Sequence, residues 1–124
     1  MSDEIKVRLS VNATNSPFKH TIAPGQVEID QSTIGRGGYT QTIGTSEEAI
    51  DVGDVTTEGC LFLQNLDDTN FVEYGCEAGS GGMASPAFKL KAGEVAWMRL
   101  APGAALRAKA DTAAVKLEVC CFED

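Results

Sequence analysis

Apolar and polar residues alternate with a period of two along much of this chain. The clearest run is Ile5–Val11, in which Lys, Arg and Ser separate four aliphatic residues. Alternation of this kind is typical of a β-strand with one buried face. Further short strands are predicted, in chain order, at Phe18–Ile22, Val27–Asp30, Ala49–Asp54, Phe88–Leu90 and Val95–Leu100.

Turn-forming residues separate these runs. Pro is followed by Gly in both Ala23–Gln26 and Ala101–Ala104. This order suits a type II turn, whose third position requires a positive φ. We therefore expect the chain to reverse at Ala23–Gln26. The 13 glycines lie mostly between apolar runs, which favours an all-β class.

The stretch Gly59–Gly75 contains two short apolar runs joined by the turn-forming residues 66–70. This arrangement is typical of a β-hairpin. With Asp68 at the tip, Cys60 faces Cys76 across the two strands. The two cysteines are then either a cross-strand disulfide or a pair of half-buried thiols, and a reducing compartment favours the thiols.

The segment Ala104–Leu117 contains both a helical and a strand-like pattern. Its alanines favour a helix, but apolar residues alternate with charged ones on both sides of Asp111-Thr112. The alternation predicts two strands with a turn between them. About eight short strands then form an antiparallel β-sandwich or jelly roll, a single domain over residues 1–124 with a short N-terminal arm at residues 1–4.

Composition restricts the partners of such a domain. The 124 residues carry a net charge of −8, and the pI is near 4.5. An acidic surface repels phosphate backbones, so nucleic acid is not an expected partner. No apolar run approaches the roughly 20 residues of a membrane-spanning helix, so no membrane partner is expected. The acidic N-terminus lacks the features of a signal peptide, and we expect synthesis in a reducing cytoplasm.

The residues that could carry chemistry are few and scattered. His20 is the single histidine and lies in a predicted strand, whereas a jelly-roll metal site uses several. Asp51–Asp54 and Asp67–Asn70 lack EF-hand spacing and are interpreted as turn residues. Trp97 and Met98 point to opposite faces of one strand, and we expect Trp97 in the core. The sequence predicts no enzyme, no cofactor and no metal site.

Two glycine-rich stretches are the candidate contact regions. Gln31–Gly44 is either a long loop or a loop followed by a polar strand around Tyr39–Ile43, and Cys76–Pro86 is a second flexible stretch. The candidate interface residues in these stretches are Arg36, Tyr39 and Met83.

Several turn and strand motifs between Ile43 and Glu118 carry a resemblance to a known group of proteins. They are Ile43–Glu48, Gly53–Val55, Asn65–Asp67, Thr69–Val72, Leu90–Val95, Arg99–Gly103 and Ala108–Thr112. In these motifs the chain resembles small virion proteins of tailed bacteriophages, and in size, acidity and strand pattern it is most similar to capsid decoration (cement) proteins. The resemblance implies a homotrimer on the capsid surface of the virion, with the major capsid protein as partner.

Two other functions remain open at this point. The first is a tail, baseplate or fibre subunit of the virion. The second is a carbohydrate-binding sandwich, which needs exposed aromatic side chains; the candidates for that role are Trp97, Tyr39 and Tyr74.

Overall fold

Every regular element of the protein is a β-strand in the computed structural model, which describes residues 4–124. The all-β prediction is confirmed, with eleven strands in the described residues rather than about eight. The predicted arm at residues 1–4 lies, except for Glu4, outside the described residues. The strands are β1 (Ile5–Asn15), β2 (Phe18–Ile29), β3 (Arg36–Gly37), β4 (Thr40–Ile43), β5 (Glu48–Ala49), β6 (Glu58–Asn65), β7 (Val72–Cys76), β8 (Phe88–Leu90), β9 (Val95–Arg99), β10 (Leu106–Ala110) and β11 (Val115–Glu123).

The chain divides into two compact units, the first ending at Thr33 and the second covering Ile34–Asp124. The first unit contains the antiparallel pair β1–β2, and the second contains the other nine strands. The sandwich that we expected over the whole chain is therefore formed by the second unit.

The second unit is a sandwich of two antiparallel sheets. One sheet has the order β5-β10-β7-β8. In the other, β3 and β4 both pair with β11, which also pairs with β6, and β6 pairs with β9. Alternate residues of the strands meet in the core between the sheets, as the period-two pattern predicts. The largest fully buried side chains are Ile43, Leu61, Leu63, Leu117, Val72, Val115, Val119, Asn65, Cys60 and Cys121.

Consecutive strands of the sandwich mostly belong to different sheets. Among β3–β11, only the β3–β4 and β7–β8 connections stay within one sheet. The two strands predicted in Ala104–Leu117 are confirmed as β10 and β11, yet they lie in opposite sheets. Of the two alternatives for Gln31–Gly44, the structure contains the polar strand, β4.

The predicted hairpin at Gly59–Gly75 is wrong, because its two strands, β6 and β7, lie in different sheets. β6 pairs with β9 and β11, whereas β7 pairs with β8 and β10. Cys60 is opposite Arg99, and Cys76 is opposite Leu106, so the two cysteines are not cross-strand neighbours. Two apolar runs with a turn between them fit an arch from one sheet to the other as well as they fit a hairpin, because both burial patterns have a period of two.

Asn65 holds this arch in place. Its side chain is fully buried, and its Nδ2 donates to the carbonyl oxygens of Asn70 at 2.9 Å and Leu90 at 3.0 Å. Its Oδ1 accepts from the backbone amide of Asp67 at 2.9 Å. One amide group therefore connects the end of β6 to the arch and to β8 of the opposite sheet.

Asp67 completes the turn that follows. Its carboxylate accepts from the backbone amides of Asn70 at 2.6 Å and Thr69 at 3.0 Å. These hydrogen bonds favour the charged form, so they lower the pKa of Asp67. The acidic cluster at 67–70 thus contributes a turn-forming carboxylate.

Glu123 plays a similar part at the end of β11. Its Oε2 accepts from the amide of Thr57 at 2.7 Å and the hydroxyl of Thr56 at 3.2 Å, and its Oε1 accepts from the amide of Thr56 at 3.1 Å. The hydrogen bonds from the Thr57 and Thr56 amides hold the pKa of Glu123 below its ordinary value. The carboxylate thereby attaches the segment before β6 to the last strand.

We predict that Asn65→Ala lowers the free energy of unfolding of the sandwich by about 3 kcal/mol, because it leaves buried backbone groups without their partners. Urea denaturation followed by the fluorescence of Trp97, the single tryptophan, measures the loss. Asp68→Ala, an exposed change in the same arch, is the control and should cost less than about 0.5 kcal/mol. Equal losses in the two variants would contradict the role given to Asn65.

We predict that Glu123→Gln lowers stability at pH 7 and that its difference from the wild type shrinks as the pH falls. A carboxyl group with a lowered pKa stabilises the fold above its ordinary pKa of about 4.3, and this contribution is lost as the pH falls through the folded-state pKa. Urea midpoints between pH 7 and pH 3 test this. Thr56→Val removes only the hydroxyl donor and should keep most of the pH dependence. A pH-independent difference for Glu123→Gln would refute the linkage.

Candidate interaction surface

The β1–β2 hairpin carries mainly apolar side chains on one face and polar side chains on the other. Directly opposed residues of an antiparallel pair point to the same face. One face carries, in order along the hairpin, the pairs Ile5–Ile29, Val7–Val27, Leu9–Gly25, Val11–Ile22, Ala13–His20 and Asn15–Phe18. The other face carries Lys6–Glu28, Arg8–Gln26, Asn12–Thr21 and Thr14–Lys19. We call these the apolar face and the polar face of the hairpin.

A β-bulge in β2 keeps the apolar face continuous. The apolar residues of β2 have even numbers up to Ile22 and odd numbers from Val27 onward, so a regular strand would place them on opposite faces. Between the Leu9 and Val11 pairings, β2 contains one residue more than β1. This extra residue places the apolar residues on both sides of the bulge on the same face of β2. Gly25 has a φ of 87° at this point, a conformation that glycine adopts without strain.

The bulge also corrects the predicted turn at Ala23–Gln26. The chain does not reverse there, because β2 is continuous from Phe18 to Ile29. The reversal is at Ser16-Pro17, between the two strands. The positive φ of Gly25 fits the third position of a type II turn as well as this bulge, so only the change from even to odd apolar positions distinguishes the two.

The polar face is hydrogen-bonded within itself. Arg8 Nη2 donates to Gln26 Oε1 at 3.2 Å, Gln26 Nε2 donates to Glu28 Oε1 at 3.1 Å, and the Thr21 hydroxyl donates to Asn12 Oδ1 at 3.0 Å. These contacts run along the hairpin on the side away from the aliphatic residues. Five of the eight residues of the polar face thus take part in side-chain hydrogen bonds with one another.

The apolar face is open to solvent. No residue of β1 or β2 is buried. Five large apolar side chains of this face are each between 44% and 60% exposed. They are Leu9, Val11, Phe18, Ile22 and Val27. A two-stranded hairpin is marginally stable in water without a layer against its apolar face, so this face has the properties of an interaction surface.

The three loop residues proposed from the sequence do not form one cluster. Arg36 and Tyr39 are exposed beside β11, and Arg36 Nε donates to the thiol of Cys120 at 3.2 Å. Met83 lies in the loop that follows β7 and is half-buried. Its amide donates to Glu47 Oε2 at 2.9 Å. Arg36 and Met83 are thus attached to different sheets of the sandwich.

Trp97 lies on the outer face of the five-stranded sheet, contrary to the expectation that it packs in the core. Its neighbour Met98 is opposite the buried Leu61 and contacts the core, so Trp97 must point the other way. There Trp97 is opposite Phe62, and its ring centroid is 6.1 Å from that of Phe122 at an angle of 53°. These aromatic side chains are half-buried and form a small outer cluster.

All four cysteines are free thiols in different surroundings. Cys60 and Cys121 are buried, Cys120 is half-buried and Cys76 is exposed. Burial raises the pKa of Cys60, and burial together with the nearby Glu58 raises the pKa of Cys121 to about 11. A high thiol pKa keeps the nucleophilic thiolate scarce, so the buried thiols are poor nucleophiles.

We predict that a thiol reagent such as Ellman's reagent modifies Cys76 fastest in the folded protein. Cys76→Ser should remove the fastest kinetic phase, because it removes the exposed thiol. Cys121→Ser is the matched control: it should leave that phase unchanged and remove one thiol only after denaturation. Survival of the fastest phase in Cys76→Ser would show that the exposure of the cysteines is different from that described.

Other kinds of site have little support in the described residues. A cavity of about 110 Å³ lies against Ile50, Leu61 and Leu106, is mostly apolar, and is smaller than the roughly 300 Å³ of a typical ligand pocket. Within residues 4–124, no three His, Cys, Asp or Glu side chains gather as metal ligands would. The same residues contain no helix long and apolar enough to cross a membrane.

Comparison with protein-family models, with curated proteins and with solved structures finds no significant match to the chain. Proposals about function therefore depend on the surfaces described above and on the sequence motifs.

The sequence predicts the strand at Ile5–Val11 but places its apolar side in the core of a single domain, so the exposed face of the hairpin is not predicted. The sequence signal for it is the change from even to odd apolar positions across Pro24-Gly25, which is typical of a strand with a one-residue bulge.

Proposed function

We propose that this protein is a non-enzymatic structural component of a tailed-bacteriophage virion, and that it decorates the outer surface of the capsid by binding the major capsid protein. Its site of action is then the virion, after synthesis in the cytoplasm of the bacterial host. The resemblance of residues 43–118 to virion proteins suggests the context. A jelly-roll topology for the sandwich and a homotrimeric state are parts of the same proposal.

The single observation that supports a role in assembly is the exposed apolar face of the β1–β2 hairpin. The largest exposed apolar patch of a protein is often a functional contact surface. Enzymes need a pocket with convergent polar groups, whereas this surface consists mainly of apolar side chains along two strands. An element of this kind is suited to joining proteins together.

The second unit has properties that suit a shell-bound scaffold. Residues 34–124 contain seven Lys and Arg residues and fourteen Asp and Glu residues, a net charge of −7. An acidic sandwich is complementary to a basic patch on a partner, and charge complementarity favours correct docking. Copies joined to one another bind a repeating shell with increased avidity, since each further contact is intramolecular.

A tail, baseplate or fibre subunit is the main alternative, because the hairpin would serve assembly there equally well. Carbohydrate binding has one observation in its favour, the outward orientation of Trp97. Against it, Tyr74 is buried and stacks on Phe88, and the rings of Trp97 and Phe122 are tilted rather than coplanar. The outer aromatic cluster therefore lacks a flat platform for a sugar ring.

We predict that phage particles lacking this protein lose density on the outer surface of the shell, and that purified protein added back restores it at saturable, symmetry-related sites. Cryo-electron microscopy of both preparations measures this. An unchanged shell with a missing tail feature would reassign the protein to the tail. Binding on a glycan array, with no binding to shells, would support the carbohydrate alternative and refute the proposed function.

A further inference from the structure

The cavity against Ile50, Leu61 and Leu106 combines apolar walls with one carboxylate. We propose that this cavity is a binding site for a lysine side chain of a partner protein: its apolar walls contact the methylene stem, and the Glu58 carboxylate accepts from the ammonium group. This inference deepens the proposed function by naming a side chain that the partner contributes, and it rests on that function only for the identity of the partner.

Two crossings between the sheets form the walls of the cavity. The first crossing leaves the four-stranded sheet after β5, at Ile50, and enters the five-stranded sheet at Glu58, the first residue of β6. The second leads back from Leu100, after β9, to Leu106, the first residue of β10. The Ile50 amide donates to the carbonyl oxygen of Leu106 at 2.9 Å, and the Leu100 amide donates to that of Gly59 at 2.8 Å. These hydrogen bonds fix the walls, so binding does not have to order them.

The size of the cavity suits one side chain. An apolar cavity of roughly 150 Å³ accepts a benzene molecule, so the volume of about 110 Å³ holds a group of roughly four or five non-hydrogen atoms. A lysine side chain is an ammonium group on a four-carbon stem, whereas an arginine side chain has two more non-hydrogen atoms. The buried Ile50 and Leu61 close the cavity toward the core, and the exposed Ala49 and Ala105 leave it open toward solvent. One side chain therefore fits from outside, although a whole ligand of typical size does not.

Glu58 selects a cation among the groups that fit. It is the only charged residue of the lining, and it is half-buried. Within residues 4–124, its carboxylate has no hydrogen-bond donor and no ion-pair partner. The carboxylate is close enough to the buried thiol of Cys121 to raise the pKa of that thiol, so it lies at the edge of the core. A partly buried carboxylate without a partner favours an incoming ammonium group, because the two form a charge-assisted hydrogen bond.

The arginines next to the cavity in the sequence are already paired. Arg99 and Arg107 each neighbour a lining residue. Arg99 pairs with Asp124 at 3.2 Å, and Arg107 pairs with Glu77 at 3.3 Å. The second unit has a net charge of −7, which attracts cations from outside. Glu58 is therefore available to a cation that a partner supplies.

The test is a titration of the isotope-labelled protein, followed by NMR through its backbone amides. We expect n-butylammonium to shift the amides of Ile50 and Leu106 in a saturable way, with a Kd on the order of 1 mM. Uncharged 1-butanol has the same number of non-hydrogen atoms and should bind about tenfold more weakly. A Gly-Gly-Lys-Gly-Gly peptide with blocked termini should shift the same amides. The matching arginine peptide should not, because the guanidinium group is too large for the cavity.

Glu58→Gln keeps the shape of the side chain and removes its charge. We expect this variant to bind n-butylammonium about tenfold more weakly and to bind 1-butanol as the wild type does. Glu118→Gln is the matched control and should keep the wild-type affinities. Glu118 is also a half-buried strand residue, but it lies between the buried Leu117 and Val119 and so points away from the core. Ala105→Leu, an exposed change at the opening of the cavity, should block both compounds, and the amide spectrum of each variant reports whether its fold is intact.

The absence of a saturable shift with n-butylammonium, or an equal affinity in Glu58→Gln, would overturn the inference. Binding of n-butylammonium without binding of the lysine peptide would assign the cavity to a free amine and overturn the assignment to a lysine side chain.

Binding of the protein to purified shells tests the proposed function separately. Shell binding that is equally strong in the wild type and in Glu58→Gln would overturn the inference and leave the proposed function intact. Conversely, binding of the lysine peptide by a protein that never binds shells would support the inference and refute the proposed function.

Discussion

The sandwich depends on one buried amide group. Asn65 ends β6 at the point where the chain leaves one sheet for the other, and its side chain donates to the carbonyl oxygens of Asn70 and Leu90. A connection between sheets passes through the edge of the core, where backbone groups lose contact with water and need other partners. An asparagine satisfies donors and acceptors together, so one side chain there serves both the arch and the opposite sheet.

The two units differ in how their apolar faces are covered. In the sandwich, each sheet covers the apolar face of the other, and side chains such as Leu63 and Leu117 are fully buried. The hairpin has only two strands and, on its own, no second layer within its unit. Its polar face is internally hydrogen-bonded, whereas its apolar face remains exposed. This contrast makes the hairpin the element of the described structure whose apolar face has no covering layer in its own unit.

The loops are more ordered than their glycine content indicates. Part of Gln31–Gly44 forms β3 and β4, which extend the sheet along β11. In the stretch after β7, Glu77 pairs with Met83 in a β-bridge, and the Met83 amide binds Glu47. Glycine allows the bends that these pairings need, so a glycine-rich segment can follow a defined path.

The sequence by itself determined the all-β class, most strand positions and the turn role of Asp67, because these depend on local periodicity and local hydrogen bonding. It did not determine which strands pair: β6 and β7, or β10 and β11, have patterns that fit a hairpin and a crossing between sheets equally well. The orientation of Trp97 followed from its register against β6, and the exposure of the hairpin followed from the lack of a covering layer in its unit. Both are relations between distant segments, which only the tertiary structure decides.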